Sequence, residues 1–222
     1  MVITEERTME GLRYIIRFPD GFDERKKYPL MMFLHGSGTR GEDIEVLKRN
    51  SFFRHIPADA AFIAIAPLCT KNSWWDHFES LRRFVKAAAD MPFADASRFS
   101  LIGNSMGGYG AWALGMSIPE YFSALVPICG GGMYWNAARL QNVPVWAFHG
   151  GKDRTVLPEE SRKMVDAVNR KGGNARLTVY PENGHNSWDD TYRDPAVFRW
   201  MIFQTNDGSP AASEQMDAVI YG

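Results

Sequence analysis

Apolar runs recur along the chain at Leu30–Leu34, Phe62–Ala66, Phe99–Ile102, Ala124–Ile128, Val143–Phe148 and Leu177–Tyr180. Most are continuous rather than alternating, the pattern of strands covered on both faces of a parallel sheet. Two further β-like runs, Val2–Arg7 and Leu12–Phe18, flank Met9-Glu-Gly11 and predict an N-terminal hairpin. Helical patterns lie between the runs. Phe78–Ala89 carries Phe78, Leu81, Phe84, Val85 and Ala88 on one face. Pro158–Lys171 opens on Pro158, Glu159 and Glu160, closes on Arg170 and Lys171, and is followed by Gly172, so both ends bear the expected signals. Strand alternating with helix predicts an α/β doubly wound sheet.

The chain has 222 residues, a length that α/β folds often reach undivided. There is no internal repeat and no interior linker. After Gln204 the sequence turns small and polar (Thr205–Ser213) and ends in Met216-Asp-Ala-Val-Ile-Tyr221. The expected organisation is a catalytic domain over 1–204 and a C-terminal tail, 205–222, docked on it or on a neighbour. With 25 basic and 26 acidic side chains the net charge is -1, which gives no electrostatic case for nucleic-acid binding. No window approaches 18 consecutive apolar residues, so no membrane partner is expected. Met1–Arg7 lacks the basic and then apolar regions of a signal peptide. The expected location is cytoplasmic, or secreted if a leader has been removed. Cys69 and Cys129 form no disulfide framework and no Cys-based zinc site, and no His-Glu-x-x-His occurs. Both read as free, buried thiols.

The chemistry centres on Gly103-Asn-Ser-Met-Gly107, which follows the run Phe99–Ile102. A phosphate-binding loop needs a lysine where Tyr109 stands, and a dinucleotide loop fails at its third glycine. Gly103-x-Ser105-x-Gly107 fits the nucleophile elbow, a sharp strand-to-helix turn that lifts a hydroxyl clear of the backbone. A serine nucleophile needs a base, and the base needs an orienting acid. Val145-Trp-Ala-Phe-His-Gly-Gly-Lys-Asp153 puts Asp153 past the next-to-last strand, and Leu177-Thr-Val-Tyr-Pro-Glu-Asn-Gly-His185 puts His185 past the last. Ser105, Asp153, His185 is the order of the α/β-hydrolase triad. Glu182 is the rival acid near His185. Leu30-Met-Met-Phe-Leu-His-Gly-Ser-Gly38 ends a strand in a turn from which the Ser37 amide, with that of Met106, is placed to hold an oxyanion. His35 and His149 read as structural supports of their loops. Arg40 and Glu42 read equally as the mouth of the site or as a surface pair.

These motifs resemble the α/β-hydrolase superfamily, and within it small esterases and predicted peptidases related to poly(3-hydroxybutyrate) depolymerases and dienelactone hydrolases. The carrying segments are Leu34-His-Gly-Ser-Gly-Thr-Arg-Gly41, Gly103-Asn-Ser-Met-Gly-Gly-Tyr-Gly-Ala-Trp112, Pro127-Ile-Cys-Gly-Gly-Gly132, Phe148-His-Gly-Gly-Lys-Asp153 and Gly184-His-Asn-Ser-Trp188. The resemblance runs from about Leu30 to Gln204. The resemblance implies a mostly parallel eight-stranded sheet in the order 1-2-4-3-5-6-7-8, with helices on both faces. It implies hydrolysis through an acyl-enzyme with no metal, no organic cofactor and no nucleotide. In that strand order the strands before Cys69 and Cys129 are separated by two others, so their ends lie roughly 14 Å apart, too far for a disulfide. Dienelactone hydrolases carry cysteine where this chain has Ser105, so that chemistry is not transferred. Cys129 and Leu140 stand too close in sequence for a lid domain between them.

Trp74, Trp75, Tyr134, Trp135 and Trp188 follow strands at the edge that carries the triad, where ligands bind in open α/β sheets. They read together as substrate-binding walls able to stack a sugar or phenyl ring. The favoured substrate is an acetyl or feruloyl ester on plant polysaccharide, followed by a generic short-acyl ester. The partners expected are therefore a small-molecule or polysaccharide ester, with a homodimer among the open oligomeric states. Two other classes compete. A peptidase of prolyl-oligopeptidase type shares the motif set but lacks a second domain here to gate peptides. A non-catalytic binding module would have no use for a strained elbow.

Overall fold

A computed structural model describes residues 4–206. Eight strands run β1 (Thr4–Met9), β2 (Leu12–Arg17), β3 (Tyr28–Leu34), β4 (Ile63–Pro67), β5 (Ala94–Asn104), β6 (Ala124–Ile128), β7 (Val145–Gly150) and β8 (Ala175–Tyr180). Their order in the sheet is β1-β2-β4-β3-β5-β6-β7-β8. β1 and β2 form the predicted hairpin, with Met9 opposite Leu12. Glu10 and Gly11 turn the chain between them with φ of 52° and 76°, the paired positive values of a type I′ turn. β2 joins β4 antiparallel, and every later pairing is parallel.

The strands' alternation splits the apolar residues between two cores. Along β3, Leu30, Met32 and Leu34 face one side while Met31 and Phe33 face the other. The first core is closed by α3 (Phe78–Ala89), α4 (Met106–Ser117) and α5 (Pro158–Arg170), through residues such as Leu81, Phe84, Trp112 and Met164. The second is closed by α1 (Glu45–Lys48), α2 (Ser51–His55), α6 (Trp188–Arg193) and α7 (Pro195–Phe203), through Leu47, Phe52, Tyr192 and Phe198. Helices thus cover both faces.

β5 is longer than its apolar run. Ala94 and Asp95 pair with Tyr28 and Pro29 ahead of a register shift at Pro29/Leu30, so its polar first half belongs to the sheet without announcing itself in hydropathy. Cys69 and Cys129 are buried and free. Among the described residues no helix is long and apolar enough to cross a membrane. Asn206 lies against the domain, its amide donating to Ser97 O at 2.9 Å. The rest of the expected docked tail falls outside the described residues.

Candidate active site

Ser105 is the single residue between β5 and α4, with φ 54° and ψ −118°. An L-residue held there stores about 1–3 kcal/mol. The surroundings allow no relaxation. A Cβ at Gly103 would sit 2.2 Å from Gly107 O, and one at Gly107 would sit 1.8 Å from Leu34 O. The Ser105 amide donates to Ile128 O at 2.9 Å, which ties the turn to β6.

Three side chains expected from sequence meet here. Ser105 Oγ is 2.8 Å from His185 Nε2, and His185 Nδ1 is 2.7 Å from Asp153 Oδ2. A carboxylate only accepts, so Nδ1 carries the proton and Nε2 is left to accept from the serine hydroxyl. Asp153 Oδ1 accepts the amides of Thr155 and Val156 at 2.8 and 3.0 Å. Burial pushes the Asp153 carboxyl pKa up, but the hydrogen bonds from His185 and these two amides outweigh it, so the net direction is downward. Asp153 is therefore a buried carboxylate, ionised at neutral pH. Glu182, the rival acid, is turned to solvent and paired with Lys152.

Ser37 heads the 3-10 turn Ser37–Thr39, and Met106 heads α4. First-turn amides have no acceptor within their own helix. Ser37 lines a cavity of about 380 Å³ together with Thr39, Asn50, Ser51, Arg54, Ser105, His185 and Trp188. Arg40 ties this loop down, its Nε donating to Ser37 O at 3.0 Å. Glu42 is not its partner; the Glu42 carbonyl accepts from Arg13.

The aromatic wall is mostly absent. Trp74 is only 1% exposed, with its indole N–H bonded to His35 O at 3.0 Å, so it is core packing beneath the loop and has no face for a ligand. Trp75, Tyr134 and Trp135 are exposed, but they pack on Phe78 or on each other rather than line the cavity. Trp188 alone of the five does so, its ring perpendicular to His185 at 5.4 Å.

His35 and His149 are fully buried. His35 Nε2 accepts from Cys69 N at 3.0 Å, which leaves Nδ1 to donate to Gly36 O at 2.8 Å. Burial pushes its pKa down to about 4. His149 has a contact that sequence reading missed: its Nε2 lies 3.2 Å from Asp153 Oδ2. The one available signal was its position four residues before the acid. Cys129, with φ 40°, sits below the triad, and its sulfur, Asp153 and His185 bring ligand atoms within 4.8 Å of one another. Burial raises that thiol to about 12. Binding a cation there would require deprotonating the thiol and breaking the His185–Asp153 bond.

A mostly parallel sheet with a strained serine at one strand end, and its histidine and acid at two later ones, defines an α/β-hydrolase. The chain belongs to the dienelactone hydrolase family, whose family model matches residues 56–200. Among solved structures it is similar to a thermostable esterase, 28% identical with a TM-score of 0.75 over 92% of this chain and 63% of that one. It shares its fold with a thermostable esterase from Pseudomonas putida, 16% identical with a TM-score of 0.70 over 90% of this chain and 80% of that one. It is also similar to dipeptidyl-peptidase 5 of Porphyromonas gingivalis, 22% identical over 81% of this chain and 34% of the relative. The chain spans about a third of the length of the curated relatives it matches.

Proposed function

We propose that this member of a hydrolase family is a serine esterase working through an acyl-enzyme. The observation that carries the reading is the continuous hydrogen-bonded chain from Ser105 Oγ through His185 to the buried Asp153 carboxylate. His185 Nε2 takes the hydroxyl proton as Ser105 Oγ attacks the ester carbonyl, and Asp153 stabilises the imidazolium that forms. The Ser37 and Met106 amides hold the oxyanion, each such donor being worth about 2.7–4 kcal/mol in the transition state. His185 then protonates the leaving alcohol and activates water to cleave the acyl-enzyme.

The substrate class favoured is a short-acyl ester, with acetyl groups on plant polysaccharide as its polymeric form. The cavity wall supports a small acyl group, since Thr39, Asn50, Ser51 and Arg54 are polar and Trp188 is its one indole. A feruloyl group is disfavoured, because its support was an aromatic wall that the cavity lacks. The likeness to dipeptidyl peptidases supports the competing peptidase reading, which a substrate panel separates. p-Nitrophenyl acetate and acetylated xylan are expected to turn over faster than p-nitrophenyl octanoate, methyl ferulate and dipeptide anilides. Turnover confined to the anilides would replace the esterase reading with the peptidase one.

A further inference from the structure

Asp153 collects more donors than a triad requires. Thr155 N, Val156 N and His185 Nδ1 donate to it, and His149 Nε2, hydrogen-bonded to Val156 O at 2.9 Å, stands 3.2 Å from Asp153 Oδ2. The Val156 carbonyl only accepts, so Nε2 must carry a proton. Burial pushes the His149 pKa down, against the pull of the Val156 carbonyl and the Asp153 charge. The ring is then neutral, and Nδ1 accepts from Ser161 Oγ at 2.7 Å.

His149 is anchored more firmly than the loop it touches. It lies in β7, paired in register with Val179 of β8, whereas Asp153 stands in the following turn. Ser161 belongs to α5 and is buried; its one hydroxyl hydrogen, given to His149 Nδ1, is not also available to Gly130 O, 2.9 Å away. One imidazole therefore ties β7 and α5 to the loop that carries the acid. We propose that His149 is a positioning residue for the reaction: its Nε2–H, held on Val156 O and 3.2 Å from Asp153 Oδ2, confines the carboxylate so that Oδ2 stays aligned with His185 Nδ1. The inference rests on the triad assigned above.

Its removal should act on turnover rather than binding, because His149 lines no part of the cavity. Glutamine carries an N–H at about the reach of imidazole Nε2, whereas asparagine places its N–H near Nδ1. His149→Asn is expected to lower kcat on p-nitrophenyl acetate between about tenfold and a hundredfold, the usual scale for a misplaced catalytic group, with KM nearly unchanged. His149→Gln is expected to recover most of that loss. Equal losses of kcat in both variants would reduce His149 to packing and overturn the proposal, as would an unchanged kcat in His149→Asn. Asp153→Asn serves as the control. If it abolishes turnover while His149→Asn leaves kcat unchanged, only the role of His149 falls; if Asp153→Asn is fully active, the triad itself falls. Nitrogen-15 NMR of the histidines in the wild-type protein needs no variant to fold. At neutral pH it should show His149 neutral and protonated on Nε2, and a ring protonated only on Nδ1 would overturn the proposal.

Discussion

Gly107 and Leu34 stand so close that a Cβ on the glycine would lie 1.8 Å from the leucine carbonyl oxygen. This contact is where the first turn of α4 crosses the end of β3. It lets the Ser105 elbow and the Ser37 loop approach one another. Because the obstacle is backbone, no rotamer change relieves it. Gly107→Ala is expected to destabilise the fold by more than the roughly 1–3 kcal/mol typical of core overpacking, and to cut activity in whatever protein folds. An alanine variant with wild-type melting temperature and activity would contradict the crossing geometry.

The acid is assigned by burial as much as by distance. Asp153→Asn retains the shape but offers His185 a mixed donor and acceptor, which stabilises the wrong tautomer. A loss in kcat of up to about 10⁴-fold is expected. Glu182→Gln removes a solvent-exposed partner of Lys152 and should leave kcat/KM within about twofold, since exposed pairs contribute little. Steady-state kinetics on one ester decides between them, and a more damaging Glu182→Gln would reverse the assignment.

Acid stability should be set by histidines before carboxylates. His35 is neutral in the fold with its pKa at about 4, while an unfolded histidine titrates near 6.5. Between these values the unfolded chain binds the extra proton, so stability falls as pH drops from about 6.5 to about 4. The full loss from this one buried group is about 3 kcal/mol. His149 and His77 are shifted in the same direction, chiefly by burial. Asp153, Asp95 and Asp189 are held below the usual carboxylate range, so their contribution is lost only under pH 4. Urea midpoints should therefore decline between pH 7 and pH 4.5, and a flat profile there would contradict the buried neutral state of His35.

The two thiols should differ sharply between native and unfolded protein. Cys129 is buried below the triad with its pKa raised to about 12, and Cys69 is also buried with its pKa raised by burial. A thiol reagent at pH 8 should find neither readily in the native protein and two after denaturation without reductant. Zero in the denatured sample would mean a disulfide and a different strand order.

The sheet was legible because buried strands are apolar throughout. β3, β4, β6 and β7 appeared as runs, and strand ends fixed the positions of Ser105, Asp153 and His185. The polar start of β5 was hidden, since Asp95, Ser97 and Arg98 satisfy one another locally rather than alternating in hydropathy. The short helices α1, α2 and α6 carry too few turns to show a period. Trp74 and Trp75 are adjacent in sequence yet one is core and the other surface, a difference set by which way a 3-10 turn rotates. His149 was invisible as a partner of Asp153 because the contact depends on the loop folding back across the end of β7.

Acylation of Ser105 is the event on which everything else depends. Rapid mixing of wild-type protein with p-nitrophenyl acetate, acid quench and peptide mass spectrometry should find one acetyl group on the peptide containing Ser105. The adduct should appear within the first turnover and be absent from Ser105→Ala. An unmodified Ser105 during active turnover, or an Ser105→Ala protein that still hydrolyses the ester at a substantial fraction of the wild-type rate, would contradict a serine acyl-enzyme.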